Sequence, residues 1–100
     1  MTMKYKIKYL PIANKDILAI DEALAEYPGK AKRLFQEMDK KLKLLEDMPH
    51  MWSYYSDNLK YRKMILEDYL LFYLVDDKAR EIRVYRVLYS RMDIPPHIDE

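Results

Sequence analysis

The fold is decided by "YRKMILEDYLLFYLVDD" (residues 61–77) and the "EIRVYRVLYS" (81–90) that follows it. Side chains alternate between the two faces of a strand with a period of two. In "YLLFYLV" both parities are apolar, which marks a strand covered on both sides. On one side of it "YRKMIL" (61–66) reads as another strand, reached through the tight connection "ED" (67–68). On the other side "DDKAR" turns the chain into "EIRVYRVLYS", the last long strand. Connections this short join antiparallel neighbours. These residues therefore predict a sheet built from consecutive antiparallel strands.

Working towards the N-terminus, "SDN" (56–58) has the composition of a turn, and "MWSYY" (51–55) is a candidate short strand whose Trp52, Tyr54 and Tyr55 either stack on bases or close the end of the core. Pro49 stops a helix that carries Ala31, Leu34, Phe35, Met38, Leu42 and Leu45 on one stripe. "YPGK" (27–30) separates it from an earlier helix, from Pro11 to about Glu26, with Ile12, Ala13, Ile17, Ile20 and Leu24 inward and Lys15, Asp16, Asp21 and Glu22 outward. Residues 4–10 alternate, with Lys4, Lys6 and Lys8 on one face and Tyr5, Ile7 and Tyr9 on the other. That is a half-buried strand whose lysines suit a sheet edge. The expected architecture is α+β: a strand, a two-helix hairpin on one face of the sheet, then three to four mainly antiparallel strands. The chain is expected to form one domain over 1–100, with 94–100, which holds Pro95 and Pro96, as a flexible tail.

Composition excludes several classes. Half the residues are hydrophobic and one is glycine, a globular composition. There is no cysteine, hence no disulfide framework, thiolate metal site or thiol nucleophile. The longest apolar run is too short to span a bilayer, and "MTMKYKIKYL" (1–10) lacks the apolar core of a signal peptide. The expected location is the cytoplasm, without a membrane partner. A formal charge of +1 means that any basic site is local.

The last strand carries Arg83 and Arg86, with Arg91 just beyond it. In a regular strand Arg83, Tyr85, Val87, Tyr89 and Arg91 share one face, and Ile82, Val84, Arg86 and Leu88 the other. Arg86 then stands on the more apolar face unless a bulge intervenes. Strand arginines are either solvated and paired to carboxylates, for which Glu67, Asp68 and Asp93 are near in sequence, or arranged to hold an anion.

In this order and at this length, "YKIKYLPIANKDI" (5–17), "LEDMPHM" (45–51), "YRKMILEDYLLFYLVDD" (61–77) and "IRVYRVLYSRMD" (82–93) resemble the RelE/ParE toxin superfamily of bacterial type II toxin–antitoxin modules, over about residues 4–96. The resemblance implies a growth-arresting toxin of a plasmid-stabilisation kind, neutralised by a cognate antitoxin. It implies one of two targets, the ribosome with its mRNA or DNA gyrase, and neither cofactor nor metal. As an mRNA interferase such a protein works without metal: arginines stabilise the charge on the phosphorane, and tyrosine or lysine moves protons. The residues that fall at the superfamily's functional positions are Arg62, Lys63, Arg86, Tyr89 and Arg91.

Two features weigh against cutting. Messenger-cutting relatives often carry a site histidine, whereas the histidines here are His50, at the helix exit, and His97, in the tail. Ribosome binders are also usually more basic, because phosphate contacts dominate their affinity. Glu46 reads as a surface charge. Three outcomes stay open: an endoribonuclease, a gyrase inhibitor without chemistry, and a degenerate relative that only binds antitoxin. The basic residues Lys30, Lys32, Arg33, Lys40, Lys41 and Lys43 of the second helix present either a solvated face or a surface for nucleic acid or an acidic antitoxin.

Overall fold

The structure, a computed structural model, describes residues 4–55 and 60–92. The turn expected at 56–58, Asp93, and the tail at 94–100 with His97 lie outside the described residues. Strand β1 (Lys6–Tyr9) leads into helix α1 (Pro11–Ala23) and helix α2 (Pro28–Leu45), and these are followed by β2 (Arg62–Leu66), β3 (Tyr69–Asp76) and β4 (Glu81–Tyr89). The sheet order is β1-β4-β3-β2. Both hairpins are antiparallel, and β1 adds to β4 in parallel. The expected α+β architecture is present, with the lysine-bearing β1 at an edge.

Each helix starts where its sequence allows. Pro11 and Pro28 stand in the first turns, where a missing N–H costs nothing. The break between the helices therefore covers residues 24–27 and takes only Tyr27 from "YPGK": Pro28, Gly29 and Lys30 already belong to α2. At its far end α2 stops at Leu45, with Glu46 as a cap that keeps helical φ/ψ, and the regular helix therefore ends before Pro49. A backbone bond from Tyr5 N–H to the Glu46 carbonyl (3.0 Å) ties this exit to the start of β1.

One large core lies between the helices and the sheet. It joins Ala13 and Ile20 of α1, the capping residue Leu24, and Leu34, Met38, Leu42 and Leu45 of α2 to Met64, Leu66, Leu71, Tyr73, Ile82, Val84 and Val87 of the strands. The second, smaller core is on the other face, where Tyr61 and Phe72 pack with Tyr55, Leu70, Leu74, Tyr85 and Leu88. β3 feeds both, as its apolar parities require. "MWSYY" contributes to both too, but makes no strand beyond one isolated bridge, Tyr54 to Arg62. Trp52 packs against the large core, and the Tyr55 ring meets Phe72 edge-on at 4.9 Å.

Strict alternation fails in β4. Phe72 pairs with Arg86 and Tyr73 with Val84, so Tyr85 is an extra residue in a bulge. Beyond it the parity is reversed. Val87 joins Ile82 and Val84 on the helix side, and Leu88 joins Tyr85 on the other. A regular strand would have sent Val87 away from the helices and left Arg86 among the most apolar positions.

Candidate functional site

The bulge sets the environment of Arg86. β1 pairs with β4 only as far as Val84, and past that point Asp16 of α1 faces the strand. Its carboxylate accepts from Arg86 Nε (2.8 Å) and Nη2 (3.1 Å) and from the Val87 backbone N–H (3.0 Å). One side chain thus neutralises the guanidinium and satisfies a ladder donor that β1 does not reach. Asp16, expected among the outward residues of its helix, is a tertiary clasp with 14% of its side chain exposed. The Asp16 bond is the main cause that raises the Arg86 pKa further, so this cation is permanent.

Arg83 is also held. Its Nη2 lies 2.7 Å from Asp76 and 3.0 Å from Glu81, and Nε donates to Glu81 at 3.1 Å. Asp76 is held below the usual carboxylate range chiefly by the backbone N–H of Ala79, and Glu81 chiefly by Arg83 itself.

Arg62 stands on β2, the edge strand opposite β1. Its Nη1 donates to the carbonyls of Trp52 (2.7 Å) and His50 (3.3 Å), and its guanidinium lies 4.0 Å from the centre of the Tyr54 ring. These contacts border a cavity of about 250 Å³ lined by His50, Tyr54, Lys60, Arg62, Leu74, Val75 and Asp77. Behind it is a hydrogen-bonded series. Tyr5 Oη donates to Asp77 (2.6 Å), and His50 Nε2 lies 3.1 Å from the same carboxylate oxygen. The Tyr5 hydroxyl, then His50, holds Asp77 below the usual carboxylate range, and the same Tyr5–Asp77 bond raises the tyrosine. Tyr73, fully buried below, donates to the Pro49 carbonyl at 3.2 Å, and burial pushes its hydroxyl up to about 12. A guanidinium, an imidazole and a carboxylate around an open cavity suit a small polar or anionic group.

The remaining expected residues lie elsewhere. Lys63 points to the face opposite Arg62, with its ammonium 5.8 Å from the Tyr55 ring centre. It shares a cross-strand row with Phe72 and Arg86. Tyr89 ends β4 with its ring edge-on to Tyr69 at 5.5 Å. The Tyr69–Tyr89 pair is four residues along β3 from Tyr73, the partner of Arg62, or about 13 Å, whereas the Lys63–Phe72–Arg86 row is next to the Arg62–Tyr73 pair but sends Lys63 to the other face. Arg91 is exposed beyond Tyr89 and makes no ion pair among the described residues. Arg62, Arg86 and Arg91 therefore occupy three separate places. Near Tyr89 an open apolar groove of about 410 Å³ runs between α1 and the end of β4, lined among others by Ala19, Ile20, Ala23, Tyr69, Leu88 and Met92. No group of three potential metal-ligating side chains stands together among the described residues.

The model of the family described as the ParE toxin of the type II toxin–antitoxin system parDE matches residues 7–94. The chain belongs to the ParE toxin family. Solved structures share the fold of this ParE-family chain at low identity. The chromosomal ParDE system of P. aeruginosa superposes with a TM-score of 0.71 at 20% identity, over 90% of this chain and 100% of that one. In the toxin–antitoxin complex RelBE2 of Mycobacterium tuberculosis the values are 0.59 and 16%, over 89% and 94%. For the archaeal RelE–RelB complex of Pyrococcus horikoshii they are 0.58 and 18%, over 91% and 100%. No curated protein matches the sequence. The chain is thus a toxin of a type II toxin–antitoxin system, with the RelE/ParE fold that its strand motifs imply. No helix among the described residues is long and apolar enough to cross a membrane.

Four site residues escape sequence reasoning: Asp16, Tyr5, His50 and Asp77. Asp16 is separated from Arg86 by 70 positions and Tyr5 from Asp77 by 72, so no local pattern joins them. The one available signal was the mismatch between the arginine content of β4 and its apolar setting, which demands a carboxylate partner.

Proposed function

We propose that this toxin arrests growth by binding a protein target, DNA gyrase, without chemistry of its own, and that a cognate antitoxin encoded beside it reverses the arrest. The observation that carries this reading is the state of the β4 arginines. Phosphorane stabilisation needs guanidinium donors free to meet phosphate oxygens. Arg86 already spends two donors on Asp16, and Arg83 spends its own on Asp76 and Glu81. Of the proposed set, Arg91 has the most accessible charge. It works by steering and docking, as a rim cation does at an interface.

The antitoxin docks in the apolar groove between α1 and the end of β4. Groove volume and apolar lining suit an amphipathic segment of the partner. The solved relatives from M. tuberculosis and P. horikoshii are complexes of toxin with antitoxin, which supports a partner of this kind.

A specific observation favours ribosome-dependent mRNA cleavage as the second reading. The Arg62 cavity sets a guanidinium beside a histidine that is oriented by a carboxylate, which is equipment for holding a phosphate and moving a proton. Lys63, Arg86, Tyr89 and Arg91 then complete a diffuse contact with RNA.

Two assays on the purified chain decide between them. In a supercoiling assay with gyrase and relaxed plasmid, the expected result is loss of supercoiled product, restored by adding antitoxin. In a reaction with programmed ribosomes, the expected result is intact mRNA. Cleaved mRNA with unaffected gyrase overturns the proposal and establishes the second reading.

A further inference from the structure

The solvent face of α2 carries a charge pattern that neither reading uses. At about 100° per residue, Lys32, Lys43, Lys40 and Arg33 fall within roughly a third of the helix circumference. All four are exposed, and none makes an ion pair with a described residue. The other two lysines of the helix behave differently. Lys30 pairs with Asp68 at 3.7 Å, and Lys41 with Glu37 at 2.7 Å. Acidic residues border the stripe without interrupting it: Glu37 is engaged by Lys41, and Asp39 lies on the flank towards Tyr9, whose hydroxyl is raised by burial and then by the Asp39 charge. The chain carries +1 in total, so without these four cations it would carry −3. These four cations stand on one rigid rod, about 16 Å from Lys32 to Lys43.

We infer that the outer face of α2 binds the phosphate backbone of a nucleic-acid duplex. The composition of the stripe selects this partner. A single strand is held by aromatic side chains on which its bases stack, and between the cations this face offers only Gln36 and Gly29. A protein partner is anchored by buried aromatic or aliphatic groups, and here only Leu44 stands at the margin, 45% exposed. Spaced cations without anchors match a repeating anionic surface read by charge alone. The inference does not rest on the gyrase reading, because duplex contact and growth arrest are measured separately.

The test is fluorescence anisotropy of a short labelled duplex DNA titrated with the purified chain. Four phosphate contacts give a slope of log K against log salt of about −3.6, so affinity falls roughly 100-fold between about 50 and 200 mM salt. The combined variant Lys32→Gln, Arg33→Gln, Lys40→Gln, Lys43→Gln should lose most of that slope, while the four arginine replacements or retentions (Lys32→Arg, Lys40→Arg, Lys43→Arg, with Arg33 kept) should preserve it. All positions are exposed, so the melting temperature of each variant is expected to stay near that of the parent and is measured alongside. Absence of binding by the parent at low salt overturns the inference. So does a glutamine variant that binds as well as the parent. Tighter binding to a single strand than to the duplex overturns the assignment of partner, as does a polyglutamate peptide that competes as well as the duplex.

Discussion

Asp16→Ala is the substitution with the most specific consequence. The carboxylate is 14% exposed and the Arg86 side chain 26%, and three hydrogen bonds between 2.8 and 3.1 Å join them and Val87. Removing one partner of a fully buried pair costs about 3–5 kcal/mol, because a buried charge is left uncompensated. Here the guanidinium keeps partial access to water, so the cost falls to about 2–3 kcal/mol, including the orphaned N–H of Val87. For a domain of this size that is a fall in Tm of roughly 10–20 °C. Arg86→Ala alone should cost less, about 1–2 kcal/mol, because Asp16 keeps the Val87 donor and the water around it. The double variant should cost less than the two singles added, by about 1–2 kcal/mol of coupling. Urea unfolding of all four proteins measures the cycle. If Asp16→Ala unfolds within about 0.5 kcal/mol of the parent, or the coupling is zero, the clasp is a surface contact of no consequence. Arg86 then has to be explained by an external anion. The same cycle scored for growth arrest separates scaffold from function: a scaffold arginine loses toxicity only in step with stability.

Other expectations follow the same logic. Arg91→Ala should leave unfolding unchanged within about 0.5 kcal/mol while weakening growth arrest, and an unaltered arrest would remove Arg91 from the target interface. Arg62→Ala, which abandons two carbonyls and the Tyr54 ring, should lose stability and activity together by thermal melting and growth assay. Tyr73→Phe orphans the buried Pro49 carbonyl and should cost about 1–2 kcal/mol in urea. Because Tyr73 is raised to about 12, the fold favours its protonated form. Its contribution is complete below the unfolded value of about 10 and is lost as pH rises through the folded one, an alkaline edge the phenylalanine variant should lack. At the acid end Asp76, Asp77 and Glu81 are all depressed in the fold. Their contribution is complete above about pH 4 and is lost as pH falls through the lower folded values, so Tm should decline there and decline less in Asp77→Asn.

The order of elements was legible because it rests on short-range periodicity. The double apolar parity of 69–75 gave β3 its two covered faces, and the stripe from Ala31 to Leu45 gave α2 its inward side. Even the edge position of β1 followed from its lysines. Prolines misled by a few residues in both directions: Pro28 opens α2 where "YPGK" read as a break, and α2 ends before Pro49. A proline restricts the chain locally, but helix length is decided by where the apolar stripe stops finding the sheet.

What tertiary structure alone decided is the fate of the charged residues. Apolar side chains obey an average rule, burial, and need no particular partner. A guanidinium needs a carboxylate at hydrogen-bond distance, and that partner can lie anywhere in the chain. Arg86 found Asp16 across 70 positions because β1 stops at Val84, α1 crosses the open edge of β4, and a single extra residue, Tyr85, reverses the parity there. Arg62 came to border a cavity with His50 and Asp77 because the exit of α2 folds back over the β3–β4 turn. Sequence placed arginines on strands. The bulge and the meeting of distant loops settled which are neutralised within the fold and which still face outward.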